Sequence, residues 1–402
     1  MYGTIKHQGK KLAFSNRIKL IKPSSTMALT SKANEMRRQG DDVLVLTVGE
    51  PDFDTPQYIK DAAKKAIDMG ATKYTSVDGT PELKEAIVNK FKNENNLSFK
   101  TDEVIVSAGC KQSIFNMLQV LIDNGDEVVI PEPYWVSYSD MVVYAGGKPI
   151  MLETTYQNNF DIDITQLENC LSKNTKLLMI NSPNNPSGKY FNTKTLTDIA
   201  ELLVNNRNIF VSSDDIYEHI HWHEEGFHNI LNVAPGLKNR TIVLNGVSKA
   251  YSMTGWRIGY AAGDSEVIKK MKTLQSQSTS CASSISQAAA CAALSNECKE
   301  LPNMRAEYKK RHDFVVSQLN QIKGVLCKET DGTFYVFPSF KEYINNHDLT
   351  DDNDLAMKLL NEAKVAVVPG SAFGMTGHLR LSIAIDMKSL EDAMIRIKSL
   401  LS

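Results

Sequence analysis

Residues 241–259 read Thr-Ile-Val-Leu-Asn-Gly-Val-Ser-Lys-Ala-Tyr-Ser-Met-Thr-Gly-Trp-Arg-Ile-Gly. The apolar run 241–244 reads as a short buried strand that ends in small residues and delivers Lys249 into a Ser/Gly-rich loop. Eight residues on, Arg257 is flanked by Trp256 and Gly259. A lysine at the end of a buried strand can be desolvated, which favours its neutral amine and its use as a nucleophile. The competing reading is an ordinary solvated loop lysine. Three further segments decide between the two.

In 208–218, Asn-Ile-Phe-Val-Ser-Ser-Asp-Asp-Ile-Tyr-Glu, an apolar strand runs into Asp214, with Tyr217 three residues later. A carboxylate at a buried strand end is costly unless a cation or donor satisfies it. The protonated ring nitrogen of pyridoxal phosphate is one such partner, and it works as an electron sink beside an aspartate. Tyr217 could then reach a ring hydroxyl; otherwise Asp214 is a helix cap and Tyr217 a packed aromatic. In 177–188, Leu-Leu-Met-Ile-Asn-Ser-Pro-Asn-Asn-Pro-Ser-Gly, a strand ends in a turn stiffened by Pro183 and Pro186. That turn presents the Asn185 amide for a ring hydroxyl or a carboxylate, although Asn-Pro and Ser-Gly are also common turn formers. In 102–122, a strand at 104–107 passes through Gly109 into a helix patterned by Ile114, Phe115, Leu118, Leu121 and Ile122. Such a junction aims free N–H groups and the positive end of a helix dipole at an anion.

In combination these motifs resemble the class I and II aminotransferases, fold-type I pyridoxal phosphate enzymes, and among them the bacterial aspartate aminotransferase branch. The resemblance rests on Ser-Lys249 with Arg257, Asp214-Asp-Ile-Tyr217, Asn-Ser-Pro-Asn-Asn185-Pro-Ser-Gly, Pro-Tyr-Trp135-Val-Ser-Tyr, Lys73-Tyr74 and His378-Leu-Arg380-Leu-Ser. They stand in the family's order, from about residue 17 to the C-terminus. The resemblance implies that Lys249 links covalently to the cofactor aldehyde and that Asp214 pairs with its ring nitrogen. Asn185 and Tyr217 would bond the ring oxygen, and Trp135 would stack on the ring. Arg257, Ser248 and the Gly109 and Cys110 amides would hold the phosphate, joined by Tyr74 from the partner of a homodimer. Arg380 would grip the substrate α-carboxylate in a bidentate fork, with Gly49 allowing close approach. Lys111, with Thr26, would meet the distal carboxylate of aspartate or glutamate. Lys22 resembles a position linked in relatives to prephenate transamination. One departure is visible: many relatives carry Ser or Thr three residues before the lysine, where this chain has Gly246.

Around these motifs, apolar strands at 104–107, 127–130, 177–181, 209–213, 241–244 and 258–262 alternate with helical patterns. This predicts parallel βαβ units in a layered α/β domain, with ligands at the strands' carboxyl ends. The expected organisation is an N-terminal arm and part of a small domain at 1–55, a large cofactor domain at 56–295 and a small α+β domain at 296–402. The last begins with a charged helix at 304–319. With 402 residues, 42% hydrophobic and 23% charged, composition is that of an ordinary globular chain. A net charge of −2 offers no electrostatic case for nucleic acid or a membrane surface. No apolar run is long enough for a transmembrane helix, and six cysteines without paired spacing fit reduced thiols in a cytoplasm. Before Glu35 there is no acidic residue and, among the cations, one arginine; an arm packed on a partner subunit fits this better than an Arg-rich transit peptide.

Two other functions remain open on sequence. A different pyridoxal phosphate enzyme on this fold, such as a C–S lyase, or an aminotransferase for neutral or aromatic amino acids, would use the same cofactor residues. A pyridoxal-sensing regulator would keep the fold, but no basic helix-turn-helix segment precedes it here.

Overall fold

The computed structural model describes residues 14–21, 25–206 and 208–402, with only the backbone at 25–28. The first thirteen residues of the expected N-terminal arm, and Lys22, therefore lie outside the described residues. Twelve strands occur among the described residues: β1 (Leu44–Val45), β2 (Val104–Ser107), β3 (Glu127–Pro131), β4 (Lys148–Leu152), β5 (Thr175–Asn181), β6 (Phe210–Asp214), β7 (Thr241–Gly246), β8 (Gly259–Ala262), β9 (Tyr335–Val336), β10 (Val365–Ala366), β11 (Val368–Pro369) and β12 (Leu379–Ser382).

Seven of them form one sheet in the order β2-β8-β7-β6-β5-β3-β4. The central strands are buried on both faces, which is why most of these segments read as near-continuous hydrophobic runs. Val106, Leu178, Val211 and Val243 enter the core on one side. Ile105, Leu177, Met179 and Leu244 enter the core on the other. Burying each such side chain contributes about 1.5–3 kcal/mol.

Three points of the sequence reading need correction. Strand β8 is not part of the parallel series: it runs antiparallel to both β7 and β2. The connection from β7 holds only a three-residue turn of 3-10 helix, Thr254–Trp256, too little for the helical crossover that parallel pairing needs. Strand β4 escaped the sequence reading because it is short, half-exposed and contains Pro149, which an edge strand tolerates. The charged helix also starts three residues earlier than read, at Leu301, with Pro302 in its first turn.

The reversal of β8 matters for the site. β2, β5, β6 and β7 point the same way, so Gly109, Asn185, Asp214 and Lys249 all leave the same edge of the sheet. Because β8 runs backwards, its beginning lies at that edge, and Arg257 precedes it there. A second core joins Leu44 and Leu46 to Val365, Leu379, Met394 and Ile397. In it β1 pairs in parallel with β10, and β12, carrying Arg380, lies between β11 and β9. Among the described residues no helix is long and apolar enough to cross a membrane.

Candidate active site

A cavity of about 460 Å³ opens at this sheet edge. Gly49, Cys110, Lys111, Trp135, Asn185, Asp214, Tyr217, Ser248, Lys249, Arg257 and Arg380 all line it, so most of the residues picked from sequence meet in one place. Gly109 stands behind this wall: a Cβ there would fall 2.2 Å from Arg257 Nη2. Tyr74 is not at this cavity. It is 91% exposed and lines a separate groove with Met69 and Lys73. Thr26 belongs to the helix Ser25–Arg38, and its side chain, like Lys22, is outside the described residues.

Lys249 follows β7 in a tight turn and donates from Nζ to the Gly49 carbonyl at 2.5 Å. Burial, then the positive Arg380, pushes its ammonium down to about 8. The neutral amine is therefore within reach at ordinary pH, as a nucleophile or base requires. Asp214 ends β6 and is 5% exposed. Burial raises its carboxyl to about 6, against the pull of its donors. These are the Tyr138 hydroxyl, at 2.5 Å from Oδ2, and the Ile216 amide, at 3.3 Å from Oδ1. Asn181 ties the strand ends together, donating to the Asp214 carbonyl at 2.8 Å and accepting from the Asn185 amide at 2.9 Å.

Arg380 is 3% exposed, with its guanidinium over the rings of Tyr335 and Phe373 at 4.4 and 4.8 Å. It donates to Asn185 Oδ1 at 3.0 Å and to the Thr47 carbonyl at 2.7 Å, while its Nε is buried without a partner. Burial lowers its pKa, yet a guanidinium stays charged. Lys111, second residue of the helix Cys110–Leu121, has its Nζ 4.6 Å from the centre of the Trp135 ring. Burial and then Arg257 lower its pKa.

Gly246, where many relatives carry Ser or Thr, sits in a tight place. It pairs with Gly259 across β7 and β8, and a Cβ there would lie 3.0 Å from both the Gly259 Cα and the Ile258 carbonyl. A Cβ on Gly259 would in turn come within 2.0 Å of the Cys110 nitrogen. The helix Cys110–Leu121 can start against this hairpin only because Gly259 has no side chain. Its first amides have no intrahelical acceptor, and Arg257, held by the Thr254 carbonyl at 2.9 Å, stands beside them.

Sequence reading missed Tyr138, Asn181 and Tyr335, which also line the cavity. Tyr138 belongs to the quoted Pro-Tyr-Trp-Val-Ser-Tyr segment, but that it turns back onto Asp214 depends on the short helix Ser137–Tyr144. No spacing rule points to Tyr335, which comes from the other core.

These residues fit pyridoxal phosphate. Asp214 is a buried carboxylate that forms no ion pair among the described residues, which a protonated ring nitrogen would supply. Arg257 likewise has no carboxylate partner there, and it stands at a helix start where an anion is favoured. The buried Arg380, with a spare Nε, is arranged for a carboxylate.

Comparison with known proteins agrees. The family model for aminotransferase class I and II matches residues 41–397. The aspartate/prephenate aminotransferase of Nitrosomonas europaea is 47% identical over 97% of this chain and 100% of its own. Among solved structures, the aspartate aminotransferase of Rhizobium meliloti has a TM-score of 0.94 at 42% identity, covering 97% of this chain and 99% of that one. The Thermus thermophilus aspartate aminotransferase with maleate has a TM-score of 0.92 at 40% identity, covering 97% of this chain and 100% of that one. Fold, cavity and relatives lead to one assignment: this chain is a fold-type I, pyridoxal-phosphate-dependent enzyme and belongs to the class I and II aminotransferases.

Proposed function

We propose that this aminotransferase moves the amino group of L-aspartate to 2-oxoglutarate, giving oxaloacetate and L-glutamate, with Lys249 as its catalytic residue. The observation that carries the reading is one cavity holding Lys249, Asp214 and Arg380: an amine near neutrality between a buried carboxylate and a buried guanidinium. Bound pyridoxal phosphate supplies an electron sink. The protein does the rest. Arg380 fixes the α-carboxylate through N–H donors that its aromatic neighbours leave free. Lys249 Nζ then takes the Cα proton as general base. Asp214 holds the ring nitrogen's proton, Asn185 and Tyr217 address the ring oxygen, and Trp135 covers the ring face. Arg257, Ser248 and the Gly109–Cys110 amides bind the phosphate.

The dicarboxylate preference rests on Lys111. A cation at a helix start is opposed by the dipole, and Lys111 makes no ion pair among the described residues. An anionic side chain at the cavity would satisfy it. The names of the Nitrosomonas europaea and Rhizobium meliloti relatives support aspartate. Prephenate, in the first of those names, is a second acceptor that would yield arogenate; Lys22 is its candidate determinant. Transamination is read from the return of cofactor absorbance on adding an oxo acid. The reading fails if no amino acid bleaches the holoenzyme, or if only neutral and aromatic ones do.

The enzyme works as a homodimer in the cytoplasm on this reading. Tyr74 stands exposed beside Met69, itself 74% exposed, and a two-fold arrangement lets it complete the neighbour's phosphate site. The free cysteines suit a reducing compartment. A Tyr74→Ala, Lys249→Ala mixed dimer should regain one good site; no recovery in a demonstrably mixed dimer argues for self-contained subunits.

A further inference from the structure

Tyr335 lies on β9, 1% exposed, with a register that places it opposite Ser382 of the strand carrying Arg380. Three contacts meet on it. Its hydroxyl is 3.0 Å from that of Tyr217. Its ring lies under the Arg380 guanidinium at 4.4 Å. A Cβ on Gly49 would fall 2.4 Å from its hydroxyl, and the Gly49 carbonyl accepts Lys249 Nζ. A single side chain thus touches the phenol, the arginine and the backbone that surround the reacting lysine.

We propose that Tyr335 is a positioning residue with two separable parts. Its ring holds Arg380 in place for the substrate carboxylate, and its hydroxyl donates to Tyr217 so that the Tyr217 proton is aimed at the cofactor's ring oxygen. The inference rests on the roles given above to Arg380 and Tyr217. A phenol has one proton to give. Burial holds the Tyr217 phenol well above its ordinary range, so it stays protonated. If that proton goes to the ring oxygen, the Tyr217 oxygen is left to accept, and the Tyr335 hydroxyl is placed to donate to it. Serial hydrogen bonds strengthen one another in a low dielectric. The ring contact has a different merit. An aromatic face attracts a guanidinium without using any of its N–H donors, so the unpartnered Nε of Arg380 stays available for a carboxylate.

The test uses holoenzyme of the wild type, Tyr335→Phe and Tyr335→Leu. Phe keeps the ring and the core volume but removes the hydroxyl. With Tyr217 a weaker donor, the ring oxygen becomes more basic. The pH transition in the visible absorbance of the resting, lysine-bound cofactor should then move up by roughly 0.5–1 unit, with the KM for aspartate within about twofold. Leu also removes the ring, and KM for aspartate and alanine should rise alike, by about 10-fold, because both present the same α-carboxylate. An unshifted transition in Tyr335→Phe, or wild-type KM values in Tyr335→Leu, would overturn the proposal. If the wild type itself shows no absorbance response to amino acids, the aminotransferase site assignment fails and takes this inference with it. A responsive wild type with unchanged variants sinks this inference alone.

Discussion

Strand β6 ends in two adjacent carboxylates, Asp214 and Asp215, and the two sides of the sheet treat them differently. Both are buried, at 5% and 1% exposure. Asp214 faces the cavity and keeps a pKa of about 6, because burial is offset by Tyr138, the Ile216 amide and Lys249. Asp215 faces away, and burial together with nearby Glu218 pushes its carboxyl well above the ordinary range. There it is closed in by the Ser213 hydroxyl and the Asn229 amide, which donate to its two oxygens at 2.6 Å each. Three residues further on, Glu218 meets a third fate. Against burial, Lys90 and His219 hold it down to about 2, while Asn95 and Asn245 donate to it at 2.6 and 2.7 Å. Three buried acids within five residues differ only in what surrounds them. One is left to serve a ligand, one is closed in by neutral donors and one is locked into an ion pair.

The largest effect should come from the cavity side. Lys249→Ala removes both the covalent anchor and the base, so single-turnover half-reaction rates should fall by at least ~10³-fold, while cofactor binding through Arg257 and the ring contacts survives. Near-normal turnover in that variant would end the assignment. Next comes Asp214→Asn, which keeps the shape and removes the charge. A loss of about 10²-fold or more is expected in the proton-transfer step, with the cofactor still bound; an unchanged rate would reduce Asp214 to the structural status of its neighbour.

Lys111→Ala sharpens the comparison at the rim. Losing one charge-assisted contact of about 1.5–3 kcal/mol should raise KM for aspartate and glutamate roughly 10–100-fold, and leave alanine nearly untouched. An equal rise for all substrates would remove the dicarboxylate reading and leave transamination standing. Tyr138→Phe probes the offset directly. Removing a donor from an ionised carboxylate disfavours its charged form, so the Asp214 pKa rises. The acid limb of the half-reaction pH profile should then move up by about one unit. A shift downward, or none, would show that the Tyr138 hydroxyl does not govern this carboxylate. Asp215→Asn should do least, because it nearly keeps the shape of a side chain that does not line the cavity. Turnover should stay within about twofold and stability within ~1 kcal/mol, measured by thermal unfolding of the holoenzyme. A collapse of activity in this variant would erase the distinction between the two sides.

How much of this was legible in the sequence follows the same division. Asp214, Lys249, Asn185 and Gly109 were readable because each closes an apolar run, and strand ends in an open α/β sheet share one edge. Asp215 sits one residue from Asp214 and was left aside; period-2 alternation sends neighbours to opposite faces, but the run itself does not say which face holds the cavity. Strand β8 was read as present and placed in the wrong direction, since direction depends on what fills the connection. Tyr138 and Asn181 lay inside segments already singled out, without a pattern to mark their partners.

What the sequence by itself determined were the buried strands and the chemical groups at their ends, which follow from local periodicity and spacing, and the family that the quoted motifs resemble. What only the tertiary structure decided were the contacts between distant segments. Tyr335 reaches Tyr217 across 118 positions, and Arg380 reaches Asn185 across 195. Such contacts form when two separately buried cores dock, and the free energy that sets them comes from burial of whole surfaces, which no short stretch of sequence encodes.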